Sequence, residues 1–334
     1  MADSRPEIPP ESGIVAIPLP TPFAVGRVNC YLIDDDPLTL VDPGPRSVAA
    51  LDELESALAA RGRALEDVGL ILVTHQHLDH SGMAGALAER TGAELACLAP
   101  LADMLVDVEA SLAADDDYQV GVMLRNGVPE ETALTLRDIT ASFRRFAAPA
   151  RATRRLADGD VVSLGSGRTL RTIHVPGHSP TDTIFLDEGW RIAIAGDHLI
   201  ARISSNPVIH RPIAGPVDPA HRVPVLATYL DSLRRTRALD LSLVVSGHGR
   251  PIDDHRALID QRIAHHETRK EEIAELITRQ PRTAHAIARE IWGDIALREA
   301  FLTLSEVLGH TDLLVAEGRV REHEEGGVAV FSPA

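Results

Sequence analysis

Residues 74–82 read Thr74-His75-Gln76-His77-Leu78-Asp79-His80-Ser81-Gly82, which places four ligand-type side chains, His75, His77, Asp79 and His80, within six positions. The stretch follows the apolar run Gly69-Leu70-Ile71-Leu72-Val73 and precedes a helical pattern over residues 81–90, so it reads as a strand-to-helix loop. Imidazole and carboxylate groups suit Zn²⁺ and related divalent ions, and a tight loop at a strand end points all four inward. The cluster predicts a hydrolytic metal centre. A bound divalent ion lowers the pKa of water to about 7 and so supplies hydroxide at neutral pH.

Three later segments repeat the same arrangement. His178 closes His174-Val175-Pro176-Gly177-His178 after the strand pattern at 170–175, Asp197 lies in Ala195-Gly196-Asp197-His198 after 192–195, and His248 lies in Ser246-Gly247-His248-Gly249 after 241–245. Each sits at the C-terminal end of an apolar strand beside a glycine that lets the backbone bend tightly. Seven ligand-type residues at strand ends are enough for two ions. A pair of cations a few Å apart can share one hydroxide, present it to a carbonyl or phosphoryl centre and stabilise the developing oxyanion. Asp79 can also accept a hydrogen bond from that hydroxide and aim it.

The His-x-His-x-Asp-His spacing, met in full by His75, His77, Asp79 and His80, resembles the metallo-β-lactamase superfamily over roughly residues 14–252. The resemblance implies an α/β fold, a four-layer αββα sandwich. It also implies that His75, His77 and His178 hold the first ion, that Asp79, His80 and His248 hold the second, and that Asp197 bridges them. Asn29-Cys30-Tyr31-Leu32-Ile33 and Leu40-Val41-Asp42-Pro43-Gly44 match as well, which makes Asp42 the group that orients the ligand loop. His198, next to Asp197, is read as a supporting residue rather than a ligand. Antibiotic-hydrolysing members typically carry a Cys in the second site, where this chain has Asp197, and Cys30 and Cys97 lie in apolar strand-like runs away from the ligand loops. β-Lactam hydrolysis is therefore disfavoured, and the pattern resembles the glyoxalase II, lactonase and ribonuclease branches. One departure is Asp182, at a place where glyoxalase II-like members often carry a second His; it is read as a cap for the next strand or a group that tunes the site, not as a ligand. Zn²⁺ is the default ion for so many His ligands, with Fe and Mn accepting the same sets.

The chain of 334 residues is 44% hydrophobic and 25% charged, with only 3% aromatic residues, so it can bury a large aliphatic core. Two domains are expected: a catalytic domain over 1–252, carrying a helical insertion at 101–155 that could act as a lid, and a winged-helix-like domain over 253–334. The second rests on helical patterns at 263–278, 284–291 and 298–317 followed by strand-like runs at 319–321 and 328–331. The formal net charge of −16 works against binding phosphate backbones. Residues 261–334 hold nine Lys and Arg against thirteen Asp and Glu. DNA binding is thus not expected of the C-terminal segment, which should pack against the catalytic domain or a second copy in a homodimer. No apolar run reaches the 18 residues of a membrane span, and the start of the chain lacks a basic and then apolar leader, so a cytoplasmic location is expected.

Against the acidic background, Arg144, Arg145, Arg151, Arg154 and Arg155 fall within twelve residues. They either hold phosphates of a coenzyme A-type thioester or form a solvated helix end paired with local acids. Asn206 lies in a Pro-rich loop that could line the pocket. His265 and His266 are assigned to a solvated helix face. Tyr31, Tyr118 and Tyr229 cannot be placed at the metals, so the general acid is left open. The leading reading is a dinuclear metal hydrolase whose bridging hydroxide attacks a small acyl substrate, a thioester first and a lactone or other ester next. The rivals are an endoribonuclease or other phosphodiesterase, and a catalytically silent metal-binding scaffold.

Overall fold

The computed structural model describes residues 6–334; the first five, part of the stretch read for a leader, lie outside the described residues. Strands β1 (Ile14–Leu19), β2 (Val28–Ile33), β3 (Leu38–Val41), β4 (Val68–Val73), β5 (Glu94–Leu98) and β6 (Arg154–Leu156) form one sheet in that order. Strands β7 (Val161–Ser163), β8 (Thr169–His174), β9 (Thr183–Asp187), β10 (Ile192–Ile194) and β11 (Leu243–Val245) form a second, ordered β11-β10-β9-β8-β7. A separate hairpin pairs β12 (Val320–Glu325) with β13 (Val328–Pro333).

The inner strands are buried on both faces, and their side chains divide by the period of two. From β2, Cys30 and Leu32 pack toward helices, whereas Tyr31 and Ile33 meet the second sheet. Helices α1 (Val48–Ala59), α2 (Leu78–Ser81), α3 (Ala84–Thr91) and α4 (Ala99–Val106) lie on the first sheet's side, where Leu54, Leu58, Leu87 and Leu101 fill the outer core. Ser47 starts α1 by accepting a hydrogen bond from the Ala50 amide at 3.1 Å. Between the sheets, Leu70 and Leu72 of β4 face Phe185, Ile192 and Val245.

Helix α5 (Val108–Arg125) and helix α6 (Glu130–Ser142) complete the insertion, followed by a short turn of 3₁₀ helix at Phe143–Phe146. Helix α7 (Val225–Arg237) covers the second sheet through Leu226, Tyr229, Leu230 and Leu233, joined by Ile259 of helix α8 (His255–Arg279). The molecule is thus the expected αββα sandwich. Helices α9 (Ala284–Trp292), α10 (Ile295–Arg298) and α11 (Ala300–Ala316) precede the hairpin. No helix among the described residues is long and apolar enough to cross a membrane.

The insertion and the C-terminal helices share one core, in which Tyr118, Val122 and Met123 of α5 pack with Ile273, Leu304 and Leu308. Three sequence readings change. Arg154 and Arg155 belong to β6, an edge strand parallel to β5, because the chain returns to the first sheet after the insertion. Helix α7 was not expected from the sequence. Finally, His266 is buried, not solvated, and its Nδ1 lies 3.3 Å from His310 Nε2 on α11. It belongs to the stripe Ile259, His266, Lys270, Ile273 and Ile277, all buried on one face of α8.

Candidate metal centre

The ligand-type residues lie at one end of the sandwich, where β4, β8, β10 and β11 run out into loops. Asp79 and His80 sit on the one-turn helix α2 rather than in an open loop, with His77 at its N-terminal boundary. This turn brings His80 back beneath His75, their ring centroids 4.2 Å apart. His75 Nε2 lies 3.1 Å and His178 Nε2 3.0 Å from His77 Nδ1. On the other side, Asp79 Oδ2 is 3.2 Å from His248 Nε2 and 4.0 Å from His80 Nε2. Asp197 stands between the two sets, with Oδ1 3.5 Å from His80 Nε2 and Oδ2 at 3.5 and 3.7 Å from His248 Nε2 and His178 Nε2.

The far side of most rings is fixed by a defined acceptor. His80 Nδ1 faces Asp42 Oδ2 at 2.8 Å, His248 Nδ1 faces the Arg27 carbonyl at 2.8 Å, and His178 Nδ1 faces the Asn206 carbonyl at 3.2 Å. Those contacts occupy Nδ1 and leave Nε2 aimed into the site, where a cation binds once any proton there is released. His80 Nε2, His248 Nε2 and Asp197 Oδ1 are buried with no hydrogen-bond partner among the described residues. Buried polar atoms are rarely left so, and three converging on one spot fit a cation. Three groups have ligand atoms within 4.8 Å of one another: His75 with His77 and His178, Asp79 with His80 and His248, and Asp42 with His75 and His80. The third is better read as support. Asp42 already accepts from the Thr74 amide at 2.8 Å, from Thr74 Oγ1 at 2.7 Å and from His80.

Electrostatics divide the donors: against burial, Asp197, Asp79 and Asp42 hold His80 well above its ordinary value, and Asp79 and Asp197 raise His248, so a cation binding there displaces protons. Burial, with neighbouring imidazoles, pushes His75 well below its ordinary value and His77 to about 3, so both are neutral lone-pair donors. Burial opposes ionisation of Asp197, but His80, His178 and His248 outweigh it and hold the carboxyl well below its ordinary value. Asp79 is likewise held ionised, against burial, by His80 and His248. Backbone spacing is equally tight: a Cβ at Gly247 would lie 2.3 Å from Asp197 Oδ1 and 2.4 Å from His80 Cε1. Only glycine lets this strand end approach the ligands.

His198 departs from its expected supporting role, because its ring turns away to bond Thr236 Oγ1 at 2.8 Å on α7. Asp182 closes the loop that carries His178, accepting from the Ser179 amide and hydroxyl at 2.8 and 2.7 Å. The arginine cluster does not converge. Arg155 pairs with Asp103 at 2.6 Å, Arg154 approaches Glu94 at 3.9 Å, Arg145 lies over the Phe146 ring, and Arg144 pairs with buried Asp116. Of the substrate candidates, Arg144 and Asn206 line the cleft above the metal centre and Arg145 does not. Two positioning residues escaped the sequence reading. Thr74 links Asp42 to His75, 3.0 Å from His75 Nδ1, and Asn29 holds the His248 loop by donating to the carbonyls of Ser246 and Gly249 at 2.9 and 3.0 Å. The signal for Asn29 is a polar residue opening an otherwise apolar strand.

The cleft has a volume of about 440 Å³ and opens on His77, Asp79, His178, Asp197 and His248. Its walls are apolar, built by Phe23, Leu112, Phe143, Ile203, Ile209 and Leu302. Residues 24–248, which include all seven converging residues, match the Metallo-beta-lactamase superfamily. The chain belongs to the metallo-β-lactamase superfamily. The family and the donor set together make it a metallo-hydrolase with a candidate metal site. A probable metallo-hydrolase, YqjP of Bacillus subtilis (strain 168), is 31% identical over 318 residues, covering 95% of this chain and 97% of that protein. A metallo-β-lactamase family protein from Thermus thermophilus has a similar structure, with a TM-score of 0.78 at 28% identity over 96% of this chain and 99% of that one. A hydroxyacylglutathione hydrolase from Jannaschia sp. (strain CCS1) is 31% identical over 142 residues, covering 41% of this chain and 52% of that protein.

Proposed function

We propose that the chain is a dinuclear metal-dependent hydrolase of small acyl substrates, with thioesters first and lactones or other esters next. The observation that carries this reading is an apolar cleft of about 440 Å³ whose floor is the converging His and Asp set. His75, His77 and His178 would hold one ion, and Asp79, His80 and His248 the other, with Asp197 facing both. Zn²⁺ is the first choice for these donors, and Fe and Mn suit them too. Bound there, such ions supply Lewis acidity toward a carbonyl oxygen and water that ionises near neutral pH.

The chain's own groups do the positioning. Asp79, held ionised, lines the cleft and accepts a hydrogen bond from the attacking water, aiming it at the carbonyl carbon. The apolar walls seat the acyl portion and exclude bulk water, which strengthens every charge interaction on the floor. Among the described residues Arg144 is the arginine on the walls, and it is engaged with Asp116, so the walls offer the backbone phosphates of a polymer such as RNA no unpaired arginine. The net charge of −16 argues the same way. The hydroxyacylglutathione hydrolase relative, itself named for thioester-type chemistry, supports the acyl reading. The C-terminal segment, winged-helix-like in its order of elements, is assigned to packing and to a homodimer contact rather than to DNA.

A panel of acyl thioesters, lactones and single-stranded RNA, assayed with metal-loaded and chelator-treated protein, tests the proposal. Metal-dependent turnover of at least one acyl class is expected. Turnover of RNA alone would transfer the assignment to the phosphodiesterase reading, and two bound metals without any turnover would favour a silent scaffold.

A further inference from the structure

A second cavity of about 490 Å³ continues the cleft away from the metal centre, between α6 and the start of α11. The two share Phe23, Asp116, Gln119, Thr140, Phe143 and Leu302 as a common wall. The Phe23 and Phe143 rings are in contact, their centroids 5.1 Å apart, and form an apolar ridge in the wall that the two cavities share. On the far side Met123, Leu136, Ile139 and Phe301 line the second chamber, together with the charged Arg137, Arg298 and Glu299.

The rim carries an independent sign. Val25, Ile139, Ile203 and Leu302 are 42, 50, 46 and 41% exposed, although large aliphatic groups are costly to leave in water. All four line one or both cavities. Exposed aliphatic side chains gathered around one opening mark a binding surface for an apolar ligand. The polar end of that ligand is fixed by the site: the hydrolysed carbonyl must reach Asp79 and Asp197 on the cleft floor.

We infer that the second chamber holds the far end of a straight hydrocarbon chain on the acyl portion of the substrate. The physiological substrate class is therefore a medium- or long-chain acyl compound whose chain passes over the Phe23–Phe143 ridge, with Ile139 as a length-determining residue. The inference rests on the acyl-hydrolase reading above. It assigns α6 and α11 a shared role, since the insertion supplies one wall of the chamber and the C-terminal helices the other. The common core of these segments then keeps the chamber's width fixed.

The test uses straight-chain acyl thioesters from C2 to C12 with the metal-loaded protein and its Ile139→Trp variant. Ile139 is half exposed and lines only the second chamber, so the change fills space without entering the core. For the native protein kcat/KM should rise about fourfold per methylene through at least C8, in line with the transfer of buried methylenes out of water. In the variant the C10-to-C2 ratio should fall by about tenfold or more, the equivalent of two methylenes losing their burial. A second measurement does not need turnover: calorimetric binding of C4 to C12 carboxylates to the protein as purified should tighten with chain length and lose that dependence in Ile139→Trp. Hydrolysis of short thioesters with no length dependence would overturn the chamber and leave the hydrolase reading intact. Length-dependent carboxylate binding without any turnover would keep the chamber and sink the hydrolase. A length dependence that Ile139→Trp leaves unchanged would also overturn the assignment.

Discussion

Asp42 accepts a hydrogen bond from His80 Nδ1 at 2.8 Å, and both side chains are buried. Asp42 also sits in left-handed backbone, at φ 55°, where a non-glycine residue is strained unless its surroundings insist on it. The bonds from Thr74 and His80 supply that insistence. Asp42→Asn keeps the side-chain size and the left-handed tolerance but offers an amide where His80 needs an acceptor. Its metal affinity should fall about 10- to 100-fold, the usual cost of losing a partner behind a ligating imidazole. Competition against a chromophoric chelator measures this, and an affinity equal to that of the native protein would show that Asp42 does not orient His80.

Asp197 is the only one of the seven residues within 3.7 Å of both His178 and His248, so its loss should uncouple the two halves of the site. Asp197→Asn removes the charge with little change of shape. The variant should retain one metal equivalent or fewer, and kcat should drop by about 10²- to 10³-fold, as when one electrostatic stabiliser is removed from a preorganised site. Elemental analysis and steady-state kinetics on the same sample check both halves. Full metal content with native kcat would rule out a bridging role.

Much of this site was legible because its residues are dense in sequence or lie at the ends of strands that are apolar on both faces. His75 to His80, His178, Asp197 and His248 all carry that signature, and the strand pattern located most strands of the two sheets but not β6. The cleft was less legible. Its walls come from Phe23, Phe143, Ile203 and Leu302, which are distant in the chain and unremarkable in type, and only the shared core of α5, α6 and α11 brings them together. The arginine cluster pairs with local acids, one of its two readings, but proximity in sequence crosses an element boundary at β6, which sends Arg154 and Arg155 to a sheet edge. Burial of His266 could have been read from the helical stripe it shares with Ile259 and Ile273, but a His-His pair invites assignment to solvent.

Asn29 tests how the His248 loop is held. Its amide nitrogen donates to the Ser246 and Gly249 carbonyls, and its own backbone amide donates to the Gly247 carbonyl at 2.7 Å. Asn29→Ala removes both bonds; the Ser246 carbonyl keeps the Tyr31 hydroxyl at 2.6 Å, and the Gly249 carbonyl loses its side-chain partner, at a cost of about 1 kcal/mol. Urea denaturation should report the loss. Metal binding should weaken as well, because His248 takes its direction from this loop. Unchanged stability would mean that water replaces the amide fully.

His266 and His310 give the fold a defined acid response away from the metal site. Burial lowers His266 to about 3 and His310 to about 4, against an ordinary value of 6.5. The charged groups around them are Arg262, His265 and Glu267 on α8, together with Arg269, and they do not offset the burial. Both folded values lie below the unfolded value, so the unfolded chain binds protons that the native state refuses once pH falls below 6.5. Their contribution to stability is therefore complete above pH 6.5 and is lost progressively as pH falls toward 4, at about 1.4 kcal/mol per pH unit for each histidine. His266→Gln removes one titrating group at nearly constant volume. With metal kept saturating, the drop in Tm between pH 7 and pH 5 should be smaller in the variant than in the native protein. An equal drop in both would place the acid sensitivity elsewhere.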